Sequence, residues 1–377
     1  MNNQNIFLFI VIASSFFVLG VFFVGYEIYP YEQLYSLYSQ TTNSHDTKIN
    51  NLINLNENEI IELIELDSNN ISSTKTHLIN YLWPNSNTPF TIFPSKVETN
   101  ISDVKYSDLS NLKQINEITI TMDHNLNSIA YLFLPTQSNN ELMIYHQGHS
   151  GDFFNGKSII QKFLNDGYPV LALSMPLLGM NNQPIIENEN FGKIQLSSHN
   201  HFQLIDNPTF SSMKYFVEPV IVSLNHISQN YNFQIFRMIG ISGGGGTTTG
   251  VSAIDDRIKH SYSVSGSIPI FLRTSPSDLG DYEQINSDFY NIANYLELYI
   301  LSSYGDDRRY IQIFNYYDPC CFSGDNYKIY VDIIRDKLKE IGSGYFFAYL
   351  DDTHLEHKIS DFAIELIIED INSNPLA

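Results

Sequence analysis

The chain has 377 residues, of which 43% are hydrophobic and 14% aromatic, enough to form the core of one large α/β domain or two smaller ones. Its formal net charge is −21 and it contains no Lys or Arg clusters, which argues against a nucleic-acid partner, because phosphate binding needs such clusters. Its two cysteines, Cys320 and Cys321, are adjacent, so we expect no disulfide framework but two small residues packed under a loop.

The sequence begins with an apolar segment long enough to span a bilayer. Residues 6–24 read IFLFIVIASSFFVLGVFFV, without a charged side chain. A cleaved signal peptide is the alternative, but its apolar part is usually shorter and ends in an A-x-A-like site that this segment lacks. We therefore predict a single-pass membrane anchor within residues 1–28, followed by an extracytoplasmic domain. If the segment is cleaved, the protein would instead be secreted.

Residues 29–114 are predicted to be a linker and an N-terminal extension. The stretch 41–58 is polar and rich in Asn, as linkers often are. Isoleucine and leucine recur at helical spacing in residues 57–67, and residues 73–83 form a second short helical pattern. No chemistry is assigned to this region.

From Ile115 onward, apolar runs typical of strands alternate with amphipathic helical patterns. The first two strands are separated only by a polar turn, so we predict that they pair antiparallel. Strands separated by helices imply a mainly parallel sheet with helices on both faces. The sequence thus predicts an α/β domain over residues 115–377, with eight strands at 115–122, 128–134, 141–146, 168–174, 233–239, 260–264, 311–317 and 345–350. Helices are predicted at 157–165, 212–228, 288–302, 327–341 and 360–372.

The fifth strand runs into the pattern G-x-S-x-G, formed by residues 240–244 with Ser242 at its centre. A strand, a sharp turn carrying a serine and a helix together make a nucleophile elbow. The glycines allow neighbouring backbone to pass close to the serine, and the helix N-terminus offers free N–H groups to an anion. A turn that serves only packing is the alternative. A nucleotide site is disfavoured, because residues 243–250 fit no G-x-G-x-x-G register and include no P-loop lysine.

Eight strands with an elbow after the fifth resemble the α/β-hydrolase superfamily, and the resemblance extends from about Ile115 to the C-terminus. It implies an α/β-hydrolase fold in which a triad carboxylate follows a late strand. Asp318, in the sequence YYDPCCF, comes directly after the strand 311–317 and is the favoured acid. Its rivals lie before that strand, farther along the following loop, or beside the histidines of the next loop: Asp306, Asp307, Asp325, Asp351 and Asp352.

The resemblance also implies a histidine after the last strand, and the segment DDTHLEHKIS offers His354 and His357. His357 stands three residues before Ser360, the expected N-cap of the last helix, and is favoured. His354 lies nearer the strand end, so both remain candidates. The H-L-E-H spacing could suggest zinc, but no third ligand stands at a recognised spacing. We therefore predict no metal and no cofactor.

These residues fit nucleophilic catalysis. A serine hydroxyl is a poor nucleophile at neutral pH, so a histidine must take its proton, and a carboxylate must orient that histidine. Two backbone N–H groups are expected to form the oxyanion hole. The resemblance implies that they belong to Gly243 and to His149, in the loop HQGHSGDF after the third strand. The side chains of His146 and His149 are expected to be structural rather than catalytic.

The long segment 175–210, between the fourth strand and the next helix, is predicted to be a lid or binding loop. His199 and His201 within it resemble a metal site only in isolation, and they are expected to lie in a solvated loop. The acidic loop 278–284 is expected to border the same cleft.

The sequence therefore predicts a membrane-anchored serine hydrolase that cleaves a small-molecule carboxylic ester through an acyl-enzyme on Ser242. A peptidase or amidase and an acyltransferase are alternatives that would use the same triad. A non-catalytic, membrane-tethered interaction protein with a hydrolase fold is the alternative from another class.

Overall fold

The computed structural model describes residues 55–84, 89–188 and 191–373. The predicted membrane anchor at residues 6–24 lies outside these ranges. Across the described ranges, the structure contains no helix that is both long and apolar enough to cross a membrane. The described residues from Asn56 onward form one compact unit.

The described strands, numbered in chain order, are β1 Lys96–Glu98, β2 Leu112–Thr121, β3 Asn127–Pro135, β4 Glu141–His146, β5 Val170–Leu173, β6 Ile185–Asn188, β7 Gly192–Gln195, β8 Ile235–Ile241, β9 Ile258–Val264, β10 Arg309–Asn315 and β11 Tyr345–Asp351. The described α-helices are α1 Glu57–Glu62, α2 Ile71–Leu82, α3 Lys157–Asn165, α4 Lys214–Asn230, α5 Gly243–Ile254, α6 Pro276–Leu279, α7 Tyr282–Ile285, α8 Ser287–Tyr290, α9 Tyr295–Ser303, α10 Val331–Ile341 and α11 Asp361–Asn372.

Nine strands form the main sheet in the order β1-β2-β3-β5-β4-β8-β9-β10-β11. The strands from β5 to β11 in this order run parallel, whereas β1, β2 and β3 are joined antiparallel at one end. The central strands are almost entirely apolar because helices cover them on both sides. The carboxyl ends of β4, β8, β10 and β11 therefore meet along one edge of the sheet.

All eight predicted strands are present, but the predicted strand number was wrong. The ninth strand, β1, pairs antiparallel with β2 at the edge of the sheet. It has only three residues, and Lys96 and Glu98 are exposed on it. Because a short polar edge strand carries no apolar run, hydrophobic periodicity does not reveal it.

The two faces of the sheet can be seen at β8. Ile239 and Ile241 point into a hydrophobic cluster that also contains Ile364 and Ile367 of α11. Gly240 points the other way, where an added Cβ would lie 2.6 Å from Thr248 Oγ1 of α5. Since successive side chains of a strand alternate between its faces, α5 and α11 cover opposite sides of the sheet.

The predicted lid segment has structure of its own. Its strands β6 and β7 form a separate antiparallel pair. A 3₁₀-helix follows at His199–Leu204, with the Ser198 side chain accepting a hydrogen bond from the N–H of Asn200 at its start. The segment then leads into α4, which is almost completely buried.

Candidate active site

Ser242 lies in the sharp turn between β8 and α5, with φ 58° and ψ −129°. A non-glycine residue rarely adopts a positive φ, and this strain is typically on the order of 1–3 kcal/mol. The surrounding hydrogen bonds maintain it: the N–H of Ser242 donates to Val264 O at 2.9 Å, and its carbonyl accepts from the N–H of Gly246 at 3.0 Å. The turn therefore has the strand–turn–helix geometry predicted from the G-x-S-x-G pattern.

The two outer glycines of that pattern are needed for close backbone contact. A Cβ added to Gly240 would lie 2.1 Å from Gly244 O, and one added to Gly244 would lie 2.3 Å from His146 O. Gly148, in the loop after β4, is equally confined: its Cβ would lie 2.6 Å from Ser242 Cβ and 3.3 Å from Ser242 Oγ. The loop after β4 therefore passes directly beside the serine hydroxyl.

Asp318 follows β10, as predicted, and its carboxylate is fully hydrogen-bonded. Its Oδ1 accepts from the backbone N–H groups of Cys320 at 2.8 Å and Cys321 at 3.3 Å. Its Oδ2 accepts from Asn315 Nδ2 at 3.1 Å and lies 2.7 Å from His357 Nδ1. Burial alone would raise the pKa of Asp318, but the His357 contact and the two backbone donors outweigh it, so that the net pKa is lowered.

His357 faces the cavity next to Ser242. Burial tends to lower its pKa, but the hydrogen bond and the charge of Asp318 prevail and raise the pKa above its ordinary value. Since an ionised carboxylate only accepts, Nδ1 of His357 carries the proton of this contact. Nε2 is buried and has no hydrogen-bond partner among the described residues. This nitrogen is therefore available to accept a proton.

His354 and two of the rival aspartates, Asp351 and Asp325, have partners elsewhere. His354 Nε2 lies 3.3 Å from Asp351 Oδ2, and its Nδ1 accepts from the backbone N–H of Glu356. Asp351 binds Thr353 at the end of β11, and Asp325 pairs with the neighbouring Lys328. The structure thus brings His357, and not His354, to Asp318.

A cavity of about 510 Å³ opens above Ser242. Ser242, Gly243, His149 and His357 all line it, and Asp318 lies behind His357. Among the described residues, no hydrogen bond engages the backbone N–H of Gly243 or of His149. Both groups are therefore free to bind an oxygen placed next to Ser242. The acidic loop also borders this cavity, as predicted, through Gly280, Asp281 and Gln284.

The cysteines contribute to the site in a way that the sequence analysis missed. Cys321 is buried, but Cys320 is exposed and lines the cavity, so the prediction of two packed residues was wrong for Cys320. The hydrogen bond with Cys321 lowers the pKa of Cys320 to about 6, with a further contribution from His357. An aspartate that binds the N–H groups two and three residues ahead forms a common turn, so D-P-C-C could have revealed the backbone role of both residues.

A second group of ionisable side chains lies beside the cavity, and it too was missed. It comprises His149, His199, Asp281 and Glu283. The prediction of a solvated loop was wrong for His199, which is 3% exposed because its ring packs against Phe202 and Phe216. His146, which was expected to be structural, is buried, and burial lowers its pKa to about 4.

The sequence matches no protein-family profile and no curated protein. Solved structures resemble its fold. Acetyl xylan esterase 1 from Thermoanaerobacterium sp. JW/SL YS485 is 14% identical, with a TM-score of 0.52 over 81% of this chain and 94% of that one. The acetyl xylan esterase from Paenibacillus sp. R4 is 13% identical, with a TM-score of 0.51 over 81% and 92%. The glucuronoyl esterase from Solibacter usitatus is 11% identical, with a TM-score of 0.51 over 81% and 93%.

The strand order, the turn at Ser242 and these similarities agree on the architecture. The chain has the α/β-hydrolase fold, as its motif order predicted. At these identities the similarities concern the fold alone, and the chemistry has to be argued from the site.

Proposed function

We propose that the protein is a serine hydrolase that cleaves carboxylic esters, with Ser242 as nucleophile, His357 as base and Asp318 as the group that orients His357. The observation that carries this proposal is the strained turn holding Ser242 in a cavity shared with a carboxylate-bound histidine whose Nε2 has no partner among the described residues. A nucleophile, a base and an orienting acid are what acyl transfer requires.

In the first step Oγ of Ser242 attacks the ester carbonyl carbon, and His357 Nε2 takes the hydroxyl proton. Asp318 keeps the other ring proton on Nδ1 and stabilises the imidazolium that forms. The raised pKa of His357 fits this role, because it reflects the stabilisation of the protonated ring by the neighbouring carboxylate.

The negative charge that develops on the carbonyl oxygen is bound by the N–H groups of Gly243 and His149. Gly243 is the first residue of α5, so its N–H lies at the positive end of the helix dipole. Each such donor is typically worth about 10²–10³ in kcat. The tetrahedral intermediate then collapses, and the alcohol leaves with the proton from His357 Nε2.

Water resolves the acyl-enzyme by the same route. His357 Nε2 takes a proton from the water as it attacks, and returns it to Ser242 Oγ when the acid leaves. The reaction consumes one ester and one water and produces an acid and an alcohol, and no cofactor takes part.

The names of the similar structures support an ester as the substrate. Two are called acetyl xylan esterases and one a glucuronoyl esterase, and each is matched over most of its length. The favoured substrates are therefore esters of small acids, and acetyl esters are the first to test. An amide or an alcohol acceptor would use the same residues, so both belong in the substrate panel.

The direct test is labelling of the purified protein by a fluorophosphonate, which reacts with activated serines, together with hydrolysis of p-nitrophenyl acetate and of the matching anilide. Wild type should be labelled and should cleave the ester faster than the anilide. The variants Ser242→Ala and His357→Ala should fold and lose both labelling and hydrolysis, with kcat falling by about 10⁴–10⁶.

His354→Ala is the matched control, since this histidine lies in the same loop but away from the cavity. It should retain labelling and hydrolysis. A folded wild type that is not labelled would favour the non-catalytic interaction protein. Loss of activity in His354→Ala but not in His357→Ala would transfer the role of base to His354.

The predicted anchor at residues 6–24 would hold this domain at a membrane surface, with the cavity on the extracytoplasmic side. Alkaline carbonate extraction and protease protection of the full chain test this part of the proposal. Release by carbonate, or secretion of a shortened chain, would contradict an anchored form.

A further inference from the structure

Four ionisable side chains from three separate segments converge beside the cavity. His149 comes from the loop after β4, His199 from the 3₁₀-helix of the predicted lid, and Asp281 and Glu283 from the start of α7. Each can offer one nitrogen or oxygen such that all four atoms lie within 4.8 Å of one another. We call these four residues the histidine–carboxylate cluster.

The distances between the potential ligand atoms of the cluster are close to those between the ligand atoms of a bound metal ion. Nε2 of His149 lies 2.8 Å from Glu283 Oε1, 3.2 Å from His199 Nδ1 and 3.4 Å from Asp281 Oδ2. Nδ1 of His199 lies 3.2 Å from Glu283 and 3.8 Å from Asp281. A tetrahedral zinc ion with bonds of about 2.0–2.1 Å separates its ligand atoms by about 3.3–3.4 Å. The observed separations lie on both sides of that value.

A hydrogen bond on the far side of the ring fixes the orientation of His199. Its Nε2 lies 2.9 Å from the carbonyl oxygen of Pro176, which can only accept, so Nε2 carries a proton. In the neutral ring, the lone pair on Nδ1 then points toward the other three residues. A carbonyl that binds the rear N–H of an imidazole is the usual support for a metal-binding histidine.

Glu283 is the more buried of the two carboxylates in the cluster. Its side chain is 6% exposed, and its buried Oε2 forms no hydrogen bond among the described residues but lies 3.2 Å from Nδ1 of His199, so it is paired only when that ring is protonated. Buried carboxylate oxygens are normally paired, because their charge is expensive to remove from water. A cation between the two rings and the two carboxylates would satisfy this oxygen and neutralise both acids.

We propose that the histidine–carboxylate cluster binds one zinc ion through His149 Nε2, His199 Nδ1, Asp281 and Glu283. Two imidazoles and two carboxylates in a tetrahedral arrangement suit zinc, whereas Mg²⁺ and Ca²⁺ prefer oxygen ligands alone. This metal was not predicted from the sequence. The alternative is a proton on Nδ1 of His199, which would make the cluster a buried ion pair without a metal.

A zinc ion at this position would tie three segments together around the cavity. His149 follows Gly148, which touches Ser242, so the metal would hold the loop that carries the proposed oxyanion N–H. This effect on catalysis rests on the proposed function, whereas the binding of zinc does not. The cluster residues are thus positioning residues, and the metal takes no part in the bond-breaking steps.

The test measures zinc in the purified full chain by elemental analysis, after stripping with a chelator, reloading with zinc and removing the excess. Wild type and Ser242→Ala should each retain one zinc per chain, and zinc should raise the Tm of both. Co²⁺ in its place should give the visible absorption of a tetrahedral complex. Because Ser242→Ala is expected to be inactive, its zinc content separates this proposal from the proposed function.

The variants His199→Ala and Glu283→Gln should fold and lose zinc, together with the zinc-dependent rise in Tm. His201→Ala is the matched control, since it lies in the same 3₁₀-helix outside the cluster, and it should retain zinc. Should the two buried variants fail to fold, Asp281→Asn, at a side chain that is 40% exposed, decides the question by its zinc content. Wild type without zinc, or cluster variants that keep it, would overturn the proposal.

Discussion

Nδ1 of His357 lies 2.7 Å from Oδ2 of Asp318, although the two residues belong to loops that follow different strands. The pair exists because β10 and β11 are parallel neighbours, with Asn315 opposite Asp351, so that their carboxyl ends deliver both loops to one edge. Asn315 also holds the two loops together, since its Nδ2 donates to Asp318 and to the carbonyl of Lys358, which is next to His357 in the chain.

Replacing Asp318 by Asn should remove most of the activity without unfolding the protein. The amide can donate to Nδ1, which would place the ring proton on Nε2, where it blocks proton transfer from Ser242. We expect kcat to fall by about 10⁴, measured on p-nitrophenyl acetate. Asp325→Asn, in the same loop but paired with Lys328 on the surface, is the control and should keep its kcat. Near-normal turnover in Asp318→Asn would remove this residue from the mechanism.

The rate should depend on pH through His357. Only the neutral imidazole accepts a proton, and Asp318 raises the pKa of this group above the ordinary value of 6.5 despite burial. The value of kcat/KM should therefore rise with pH and reach half of its maximum above pH 6.5. In Asp318→Asn the residual activity should show a midpoint at lower pH, because burial, which lowers the pKa, then acts without the opposing charge. If the acidic limb of the pH profile had the same midpoint in wild type and in Asp318→Asn, the pairing of Asp318 with His357 would be contradicted.

The glycines of α5 should differ sharply in their tolerance of a methyl group. In Gly244→Ala the new Cβ would meet the His146 carbonyl oxygen at 2.3 Å, so backbone must shift, and we expect destabilisation of about 1–3 kcal/mol or more. In Gly250→Ala the nearest atom, on Val217, is 3.9 Å away, and the higher helix propensity of Ala should stabilise the protein by up to about 1 kcal/mol. Urea unfolding of both variants measures the difference. Equal stabilities would mean that β4 does not press against this helix as described.

Cys320 should react with thiol reagents before Cys321 does. It is exposed, and its pKa is lowered to about 6, so it is largely thiolate at neutral pH, whereas Cys321 is buried and its pKa is raised. Alkylation by N-ethylmaleimide should fill part of the cavity and inhibit ester hydrolysis. Cys320→Ser keeps the backbone bond to Asp318 and should be resistant to inhibition, while Cys321→Ser should remain sensitive. Peptide mass spectrometry identifies the alkylated residue, and inhibition that persists in Cys320→Ser would assign the effect to another group.

Most of the fold could be predicted from the sequence because its strands are buried on both faces. Runs such as that of β8 are apolar apart from the buried Arg237, and the glycines beside Ser242 mark the turn. β1 was not predicted because its three residues gain stability only by pairing with β2. That pairing is a tertiary property, and no local pattern encodes it.

The candidate site, too, could be predicted from the sequence only in part. Ser242, Asp318 and the two candidate histidines all follow strand ends, and the resemblance to the α/β-hydrolase superfamily implied that a serine, an aspartate and a histidine from these positions would meet. His199 and Glu283 come from two short helices, and their convergence depends on how the segment 175–210 packs beside the loop of His149. The choice between His354 and His357 likewise needed the loop geometry, since the two histidines are only three residues apart but contact different aspartates, Asp351 and Asp318.

The parallel strand order has a further consequence for how the protein is made. The edge that holds Ser242, Asp318 and His357 is complete only when β11, close to the C-terminus, has paired with β10. During synthesis the elbow and the loop of Asp318 leave the ribosome before β11 and α11. Until β11 pairs with β10, the apolar edge of β10 stays uncovered. Non-local parallel pairing of this kind is slow, and the partly folded intermediates that precede it expose apolar surface and are prone to aggregate. A nascent chain that stalls before β11 would therefore depend on chaperones, and it could not assemble the site.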